Sequence, residues 1–382
     1  MAGRIVLFGA TGYTGRLVAE AMVERGLRPV LAARSAERLR ELARDLGGEL
    51  DTAAADVSDP ASVTALVGAG DVLVTTVGPF VRWGGPAAAA ASTAGAHYLD
   101  STGEPPFIRE VFERYGAAAE QKESAMVTAF GYDWVPGNLA GALALSRAGE
   151  AATRVDTGYF ITGDTGSMSG GTRASLAGVM SAPAFAFRDG RVQGERGARR
   201  VRSFLVGSKE LSGVSVGASE HFALPRLAPG LREVNSYLGW FGPATRAMQV
   251  LSAGTAAGMK LPGAARLWDA AAARFVKGST GGPDAAARAK SGSHVVGIAY
   301  DASDRELSQV HVSGVDGYTF TGKILAWGAE RAAAGELQGT GGLGPADGFG
   351  LEALVEGCRQ AGISEDLAGS PDRPAAAQAP AG

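Results

Sequence analysis

The stretch Gly9-Ala10-Thr11-Gly12-Tyr13-Thr14-Gly15 follows the apolar run Arg4–Phe8 and opens an amphipathic stretch that ends near Arg25. Glycines at this spacing suit a tight turn from a strand into a helix, because they let the backbone turn sharply and approach its neighbours closely. The first N–H groups of such a helix have no partner within the helix and attract phosphate. The stretch therefore predicts a βαβ unit that binds the phosphates of a dinucleotide.

Apolar runs and helical stretches alternate through the first 150 residues. Strands are expected at Arg4–Phe8, Pro29–Ala33, Glu49–Ala55, Asp71–Val77, His97–Asp100 and Ala125–Phe130. Helices are expected at Gly12–Arg25, Ala36–Leu46, Pro60–Val67, Pro86–Ala94, Pro105–Gln121 and Pro136–Ala148. Apolar strands that alternate with helices indicate a parallel sheet covered on both faces. We therefore predict an α/β protein whose residues 1–150 form a Rossmann domain with a doubly wound parallel sheet.

The pattern becomes irregular after about Arg154, which indicates a second, α+β domain over residues 151–316. Its strands are expected at Val155–Thr162, Val201–Val206, Glu220–Ala223, His294–Tyr300 and Leu307–Val315. Helices are expected at Gly170–Arg188, Ala244–Gly258, Ala264–Val276, Tyr318–Ala334 and Leu351–Ala361. Residues 368–382 are rich in Pro, Ala, Gly and Ser, and we expect them to be disordered.

Composition excludes several classes of protein. The net charge of −3 over 382 residues provides no basic field for nucleic acid. The single cysteine, Cys358, excludes an internal disulfide framework, and the four histidines lack the spacing of a metal site. No apolar stretch reaches the length of a membrane span, so a cytoplasmic protein is expected. The segment 244–276 mixes apolar and basic residues, which leaves contact with a membrane surface as an alternative to packing against protein.

The end of the second predicted strand bears on the choice of cofactor. An NAD site usually carries an acidic residue there, which binds the ribose 2′-hydroxyl. This chain has Arg34 followed by Ser35, and Arg38 lies one turn further on. Because a guanidinium can bind a 2′-phosphate with two hydrogen bonds, we predict NADPH as the cofactor.

Later strand ends complete the predicted dinucleotide site. Asp56 and Val57 follow the third strand, where the carboxylate either accepts the adenine amino group or caps a turn. Val77-Gly78-Pro79 turns the chain across the cleft where the nicotinamide half would lie. The predicted cofactor residues are Gly9, Thr11, Gly12, Tyr13, Thr14, Gly15, Arg34, Ser35, Arg38, Asp56, Val57, Val77, Gly78 and Pro79.

Several motifs together resemble the saccharopine dehydrogenase-like reductases, and among them the bacterial trans-acting enoyl reductases. These motifs are Gly9–Gly15, Val77–Phe80, His97–Glu104, Gly131–Pro136, Ser169–Ser175, Gly317-Tyr318 and Gly341–Ala346. The resemblance covers most of residues 1–363 and is weakest over 190–290. It implies reduction of a carbon–carbon double bond, sometimes on a carrier-bound acyl chain. It also implies a second domain that takes part in a homodimer, and C-terminal helices (317–363) that return to the Rossmann domain.

Candidate catalytic residues follow the sixth strand. Tyr132 is expected to donate a proton or stabilise an enolate, unless it only packs at the domain junction. Asp133 either takes part in catalysis or caps the helix that begins near Pro136. Trp134 stands where the enoyl reductase branch has Asp-Ser after Gly-Phe, so it would reshape the pocket. With Ser169 and Thr172 it is a predicted substrate contact.

Three functions fit these residues. The first is an NADPH-dependent enoyl-type reductase that acts on a small or carrier-bound acyl substrate. The second is an imine or saccharopine-type reductase, which would bind carboxylates with clustered cations such as Arg196, Arg199, Arg200 and Arg202. The third is a non-catalytic NADPH-binding protein. No Ser-x-x-x-Tyr-x-x-x-Lys pattern of the short-chain reductases occurs near residues 120–160.

Overall fold

The computed structural model describes residues 3–163, 183–258 and 281–366. A seven-stranded sheet contains the predicted N-terminal strands, which confirms the Rossmann prediction. Every neighbouring pair is parallel, in the order β15-β6-β5-β4-β1-β2-β3. Its strands, numbered in chain order, are β1 Ile5–Phe8, β2 Val30–Ala33, β3 Thr52–Ala54, β4 Val72–Thr75, β5 His97–Asp100, β6 Ala125–Val127 and β15 Gly341–Gly342. Strand order reverses between β1 and β4, which places a crevice at their carboxyl ends.

Helices cover both faces of this sheet, close to the predicted limits. Apolar residues on the helices bury the strands, which are almost fully buried except for the edge strand β3. The helices are α1 Tyr13–Glu24, α2 Ala36–Asp45, α3 Pro60–Thr64, α4 Phe80–Trp83, α5 Gly85–Ala94, α6 Pro105–Glu110, α7 Gly116–Glu120 and α8 Val135–Ala148. A π-helical turn, Val111–Tyr115, joins α6 to α7.

A second sheet of nine strands forms the rest of the fold and is mainly antiparallel, with one parallel pair, β7 and β12. Its path runs β10-β11-β12-β7-β13-β14-β16, and β8 pairs with both β12 and β9. The strands are β7 Arg154–Thr162, β8 Pro183–Arg188, β9 Arg191–Arg196, β10 Val201–Val206, β11 Lys209–Val216, β12 Glu233–Leu238, β13 Gly292–Tyr300, β14 Glu306–Val315 and β16 Ile363–Glu365. The helices are α9 Glu220–Leu227, α10 Thr245–Gly258, α11 Ala285–Ala289, α12 Gly317–Ala333, α13 Pro345–Phe349 and α14 Leu351–Ala361.

Two predictions for this part of the chain were wrong. Residues 220–223, predicted as a strand, begin helix α9. The neighbours Ala223 and Leu224 are both buried in the core, which the alternation of a strand with one buried face does not allow. The predicted helix Gly170–Arg188 ends as strand β8 from residue 183 onward, where Phe185 and Phe187 face the core. The remainder of that helix, the predicted helix Ala264–Val276 and the tail 368–382 lie outside the described residues.

Helices α8 and α12 join the two sheets. α8 leaves the carboxyl end of β6 and packs against β7 and β13 of the second sheet. α12 follows β14 and packs against α1 of the first sheet. The residues between β6 and α8 therefore lie at the junction of the two parts. Among the described helices, none combines the length and the apolar composition that crossing a membrane requires.

Candidate active site

The glycine-rich turn forms an open cradle at the start of α1. Gly9 has φ +92°, and a Cβ there would lie 2.8 Å from Thr76 Oγ1. The Gly12 N–H donates to the Gly9 carbonyl at 2.9 Å. A Cβ on Gly15 would lie 2.1 Å from that same carbonyl oxygen. No side chain caps the first turn of α1. Its backbone N–H groups are thus open to an anion, which fits the pyrophosphate of a dinucleotide.

The predicted 2′-phosphate residues lie beside this turn. The turn is bonded to the end of β2, because the Gly9 N–H donates to the Ala32 carbonyl at 2.8 Å. Arg34 follows two residues after Ala32, and its side chain is exposed. The Arg38 guanidinium donates to the Thr11 carbonyl at 3.1 Å and ties α2 to the loop. The Ser35 hydroxyl caps α2 by accepting from the Arg38 N–H at 3.3 Å.

Asp56 and Val57 follow β3 on the same edge. The Asp56 carboxylate accepts hydrogen bonds from the Ser58 N–H and hydroxyl, both at 2.9 Å. These bonds, together with the nearby Arg34 guanidinium, lower the pKa of Asp56. Asp56 thus caps a turn, as one of its two alternatives predicted, and its contact with the adenine amino group stays a prediction.

The Val77-Gly78-Pro79 turn is held by a buried glutamate. The two oxygens of Glu104, which follows β5, accept from the N–H groups of Phe80 and Val81 at 2.9 and 3.0 Å. A carboxylate is favourable there because the start of a helix carries partial positive charge. Glu104 thus fixes α4 and, with it, the turn in front of it.

Tyr132 and Trp134 lie buried where β6 leads toward α8, and Asp133 between them is half-buried. The Tyr132 N–H donates to the Thr321 hydroxyl of α12 at 2.9 Å. Asp133 rests against Gly103, where a Cβ would lie 2.8 Å from Asp133 Oδ2. The peptide bond between Asp133 and Trp134 is cis. Helix α8 has Trp134 at its N-cap and no side-chain cap, so the helix-capping alternative for Asp133 was wrong.

Aromatic rings from both sheets meet around these residues. The Tyr132 ring lies 6.0 Å from the Tyr159 ring of β7, edge-on, and 6.5 Å from the Trp240 ring, stacked. Trp134 meets Tyr159 edge-on at 5.1 Å. Several polar atoms in this region are buried without a hydrogen-bond partner: Tyr132 Oη, Asp133 Oδ1, Trp134 Nε1, Asn138 Oδ1, Glu220 Oε2 and Trp240 Nε1. Buried polar atoms are rarely left unpaired, so this region is the candidate ligand-binding site.

Burial changes the acidity of these groups. Desolvation raises the pKa of Asp133 from 3.8 to about 7. Desolvation also raises the pKa of Tyr132 above its usual value of 10, and the nearby Asp133 adds to this rise. At neutral pH, Tyr132 therefore keeps its proton and can donate a hydrogen bond, whereas Asp133 can lose and regain a proton.

Sequence reasoning missed Glu220, the first residue of α9. It is fully buried, and its Oε1 lies 2.7 Å from the Tyr159 hydroxyl. Desolvation raises its pKa from 4.5 to about 8. The available signal was an acidic residue next to the apolar residues Phe222 to Leu224, but the segment was interpreted as a strand.

The arginines proposed to bind carboxylates have partners elsewhere. Arg200 forms an ion pair with Glu195, and Arg202 forms one with Asp156. Arg196 donates to Ser252 Oγ at 3.1 Å, and Arg199 lies 3.6 Å from Glu195. These four arginines therefore bond to residues of the second sheet and of the helix beside it. Ser169 and Thr172 lie outside the described residues, among which no group of His, Cys, Asp and Glu could hold a metal ion.

Comparison with known families supports the interpretation of the first sheet. A family model described as NAD(P)H-binding matches residues 9–140. The chain carries an NAD(P)H-binding domain. The match begins at Gly9 and ends within α8, so it contains every predicted cofactor residue and also Tyr132 and Asp133.

Sequence relatives confirm the resemblance stated from the motifs. The trans-acting enoyl reductase of Mycobacterium leprae is 40% identical over 140 residues, which are 35% of this chain and 34% of the relative. A protein of Mycobacterium tuberculosis strain H37Rv assigned to the same group is 39% identical over 184 residues, 46% of this chain and 44% of that protein. The chain thus matches less than half the length of these relatives.

Solved structures share the fold over nearly the whole chain. Saccharopine dehydrogenase (L-Glu forming) from Saccharomyces cerevisiae superposes with a TM-score of 0.58 at 12% identity, covering 95% of this chain and 99% of its own. Homospermidine synthase from Legionella pneumophila superposes with a TM-score of 0.59 at 9% identity, covering 96% of this chain and 92% of its own. These values confirm the predicted fold class of a Rossmann domain with a second mixed α/β part.

Proposed function

We propose that this chain is an NADPH-dependent reductase whose substrate binds between the carboxyl edge of the parallel sheet and the second sheet. The open first turn of α1 suits a pyrophosphate, and the exposed Arg34 stands where an acidic residue would favour NADH. When bound, the nicotinamide would supply a hydride. The protein's own residues must orient the substrate and provide a proton.

The buried donors around Tyr132 suit a neutral carbonyl oxygen. The Tyr132 hydroxyl and the Nε1–H groups of Trp134 and Trp240 have no partner, and an unsatisfied buried donor costs about 1–3 kcal/mol. None of the arginine–aromatic contacts in the described chain involves these rings. A carboxylate substrate normally pairs with Arg or Lys. We therefore favour an α,β-unsaturated acyl group, either small or attached to a carrier.

Asp133 is the proposed proton donor, and Tyr132 the proposed enolate stabiliser. Reduction of a conjugated double bond places negative charge on the carbonyl oxygen and requires a proton at the α-carbon. A carboxyl group with a pKa of about 7 is well matched to giving up that proton at neutral pH. The observation that carries the proposal is this half-buried acid, whose Oδ1 is buried without a partner among neutral donors, beyond the end of a strand of the NAD(P)H-binding domain.

A comparison of substrate classes tests the proposal. NADPH consumption is followed with an enoyl thioester, a cyclic imine and a keto acid supplied with an amine. We expect turnover with the thioester and none with the other two. Turnover with the imine or the keto acid alone would replace the proposal with the saccharopine-type alternative. Tight NADPH binding without any turnover would identify a non-catalytic NADPH-binding protein.

A further inference from the structure

The three hydrogen-bond contacts of the Tyr159 hydroxyl bear on the protonation state of Glu220. The hydroxyl lies 2.8 Å from the Gly137 nitrogen, 3.0 Å from the Trp134 carbonyl oxygen and 2.7 Å from Glu220 Oε1. The amide can only donate and the carbonyl can only accept, so the single hydroxyl hydrogen is taken up by the Trp134 contact if that contact is a hydrogen bond. The third contact then contains a hydrogen only if Glu220 is protonated and donates to Tyr159.

If Glu220 were ionised, the contact between the Tyr159 hydroxyl oxygen and the Trp134 carbonyl oxygen would contain no hydrogen. Tyr159 would donate to the carboxylate, and its oxygen would face the Trp134 carbonyl oxygen at 3.0 Å with nothing between them. Asn138 would still donate to that carbonyl, at 2.9 Å through its side chain and at 3.2 Å through its backbone. Ionisation of Glu220 thus removes one of the bonds that hold the loop before α8.

The surroundings of Glu220 favour the neutral acid. Its Oε2 has no partner, and apart from Tyr159 the nearby Thr157 hydroxyl lies 3.5 Å from Oε1. The titratable groups that act on it are Tyr159 of β7 and Asp133 of the loop. Helix α8 presents Gly137 to Glu220 and Asn138 to the neighbouring Ser219, and neither residue titrates. A buried carboxylate without a cation is costly, so the proton is retained.

We propose that protonated Glu220 is a positioning residue of the active site. It donates to Tyr159, which donates to the Trp134 carbonyl, and this chain of bonds fixes the loop that carries Tyr132 and Asp133. The second sheet thereby controls the geometry of groups that belong to the first. The consequence for catalysis rests on the proposed reductase function, but the hydrogen-bond arrangement does not.

Amide hydrogen exchange in residues 131–138 tests the arrangement without requiring turnover. Protection is measured from pH 6 to 9. The pH dependence of the intrinsic exchange rate is corrected for with an unstructured peptide of the same sequence. In the wild type we expect protection to fall about five- to tenfold as Glu220 ionises, the value of one hydrogen bond of about 1–1.4 kcal/mol. Glu220→Gln should keep high protection throughout, because its amide can donate to Tyr159 at every pH.

Further variants separate Glu220 from its neighbours. Tyr159→Phe should lower protection at all pH values and remove the pH dependence. Glu210→Gln, on an exposed position of β11, should behave like the wild type. If Glu220→Gln shows the wild-type fall, Asp133 or another group causes it and the proposal is overturned.

Kinetics with the enoyl thioester provide the second readout. Between pH 6 and pH 8.5, kcat of Glu220→Gln should decline less than kcat of the wild type, with an unchanged KM. Equal declines would contradict a positioning role. A protein that shows the exchange effect but reduces no thioester would refute the proposed function and leave the hydrogen-bond arrangement intact.

Discussion

Arg34 is exposed just after β2, beside the glycine-rich turn that is proposed to receive the dinucleotide. Replacing it with alanine removes a charge-assisted bond to a 2′-phosphate, worth about 1.5–3 kcal/mol. We expect Arg34→Ala to weaken NADPH binding by about ten- to a hundredfold and to leave NADH binding nearly unchanged, as measured by calorimetry. Arg40→Ala, exposed on α2, is the matched control and should alter neither affinity. An equal loss for both cofactors would show that Arg34 does not contact the 2′-phosphate.

Asp133 should determine the pH dependence of reduction. Its carboxyl group donates a proton only when protonated, and burial raises its pKa to about 7. We therefore expect kcat to decline as pH rises through about 7. Asp133→Asn has nearly the same shape but no acidic proton, so it should lower kcat by about 10²- to 10⁴-fold while NADPH still binds.

Stopped-flow traces of single turnovers at each pH would check the Asp133 prediction, since slow product release could otherwise hide the step. Glu113→Gln, an exposed site on the π-helical turn, serves as the control. A variant Asp133→Asn with wild-type kcat and the wild-type pH profile would exclude this carboxyl group as the donor.

The turn between β1 and α1 depends on a close approach of backbone to backbone. A Cβ at Gly15 would lie 2.1 Å from the Gly9 carbonyl oxygen, where neither group can move aside easily. We expect Gly15→Ala to lower the free energy of unfolding by about 1–3 kcal/mol and to weaken binding of both cofactors. Gly254→Ala, which meets no atom within 4 Å and lies in a helix, should be neutral or slightly stabilising.

Urea unfolding and cofactor titration of the two glycine variants would check the prediction for the turn. If Gly15→Ala binds NADPH as the wild type does, the turn tolerates displacement and the cradle is not rigid.

Element prediction succeeded where local patterns and packing agree. The glycine turn and the alternating strands of the first sheet follow from short-range sterics and from apolar runs, so their limits lie within a few residues of those predicted. Residues 220–223 were predicted as a strand, because four residues are too few to distinguish the two-residue period of a strand from the 3.6-residue period of a helix. Strand β15 consists of Gly341 and Gly342 only, and it forms because β6 offers an unpaired edge.

Across the whole molecule, the buried acids should make stability depend on pH. Asp133 and Glu220 have folded-state pKa values of about 7 and about 8, above the ordinary 3.8 and 4.5. The folded chain therefore holds protons that the unfolded chain has released, and stability falls as pH rises toward 8. Each group contributes up to about 1.4 kcal/mol per pH unit in this window.

Chemical denaturation between pH 7.5 and 8.5 measures this effect, in a range where the unfolded histidines, with pKa values of about 6.5, are mostly deprotonated. We expect the free energy of unfolding of the wild type to decrease over the range, and that of Glu220→Gln to decrease less. A wild-type curve that is flat or rises would show that Asp133 and Glu220 are ionised in the folded protein.

The sequence alone determined the NAD(P)H-binding domain and the glycine-rich turn that is its candidate phosphate site, because glycine sterics and strand periodicity act over a few neighbouring residues. The tertiary structure decided the acid–base chemistry. Glu220 meets Tyr159 from 61 positions away, and Asp133 is desolvated where elements of the two sheets meet. Desolvation depends on every surface packed around a group, and those surfaces come from distant segments, so no local pattern could have revealed these pKa values.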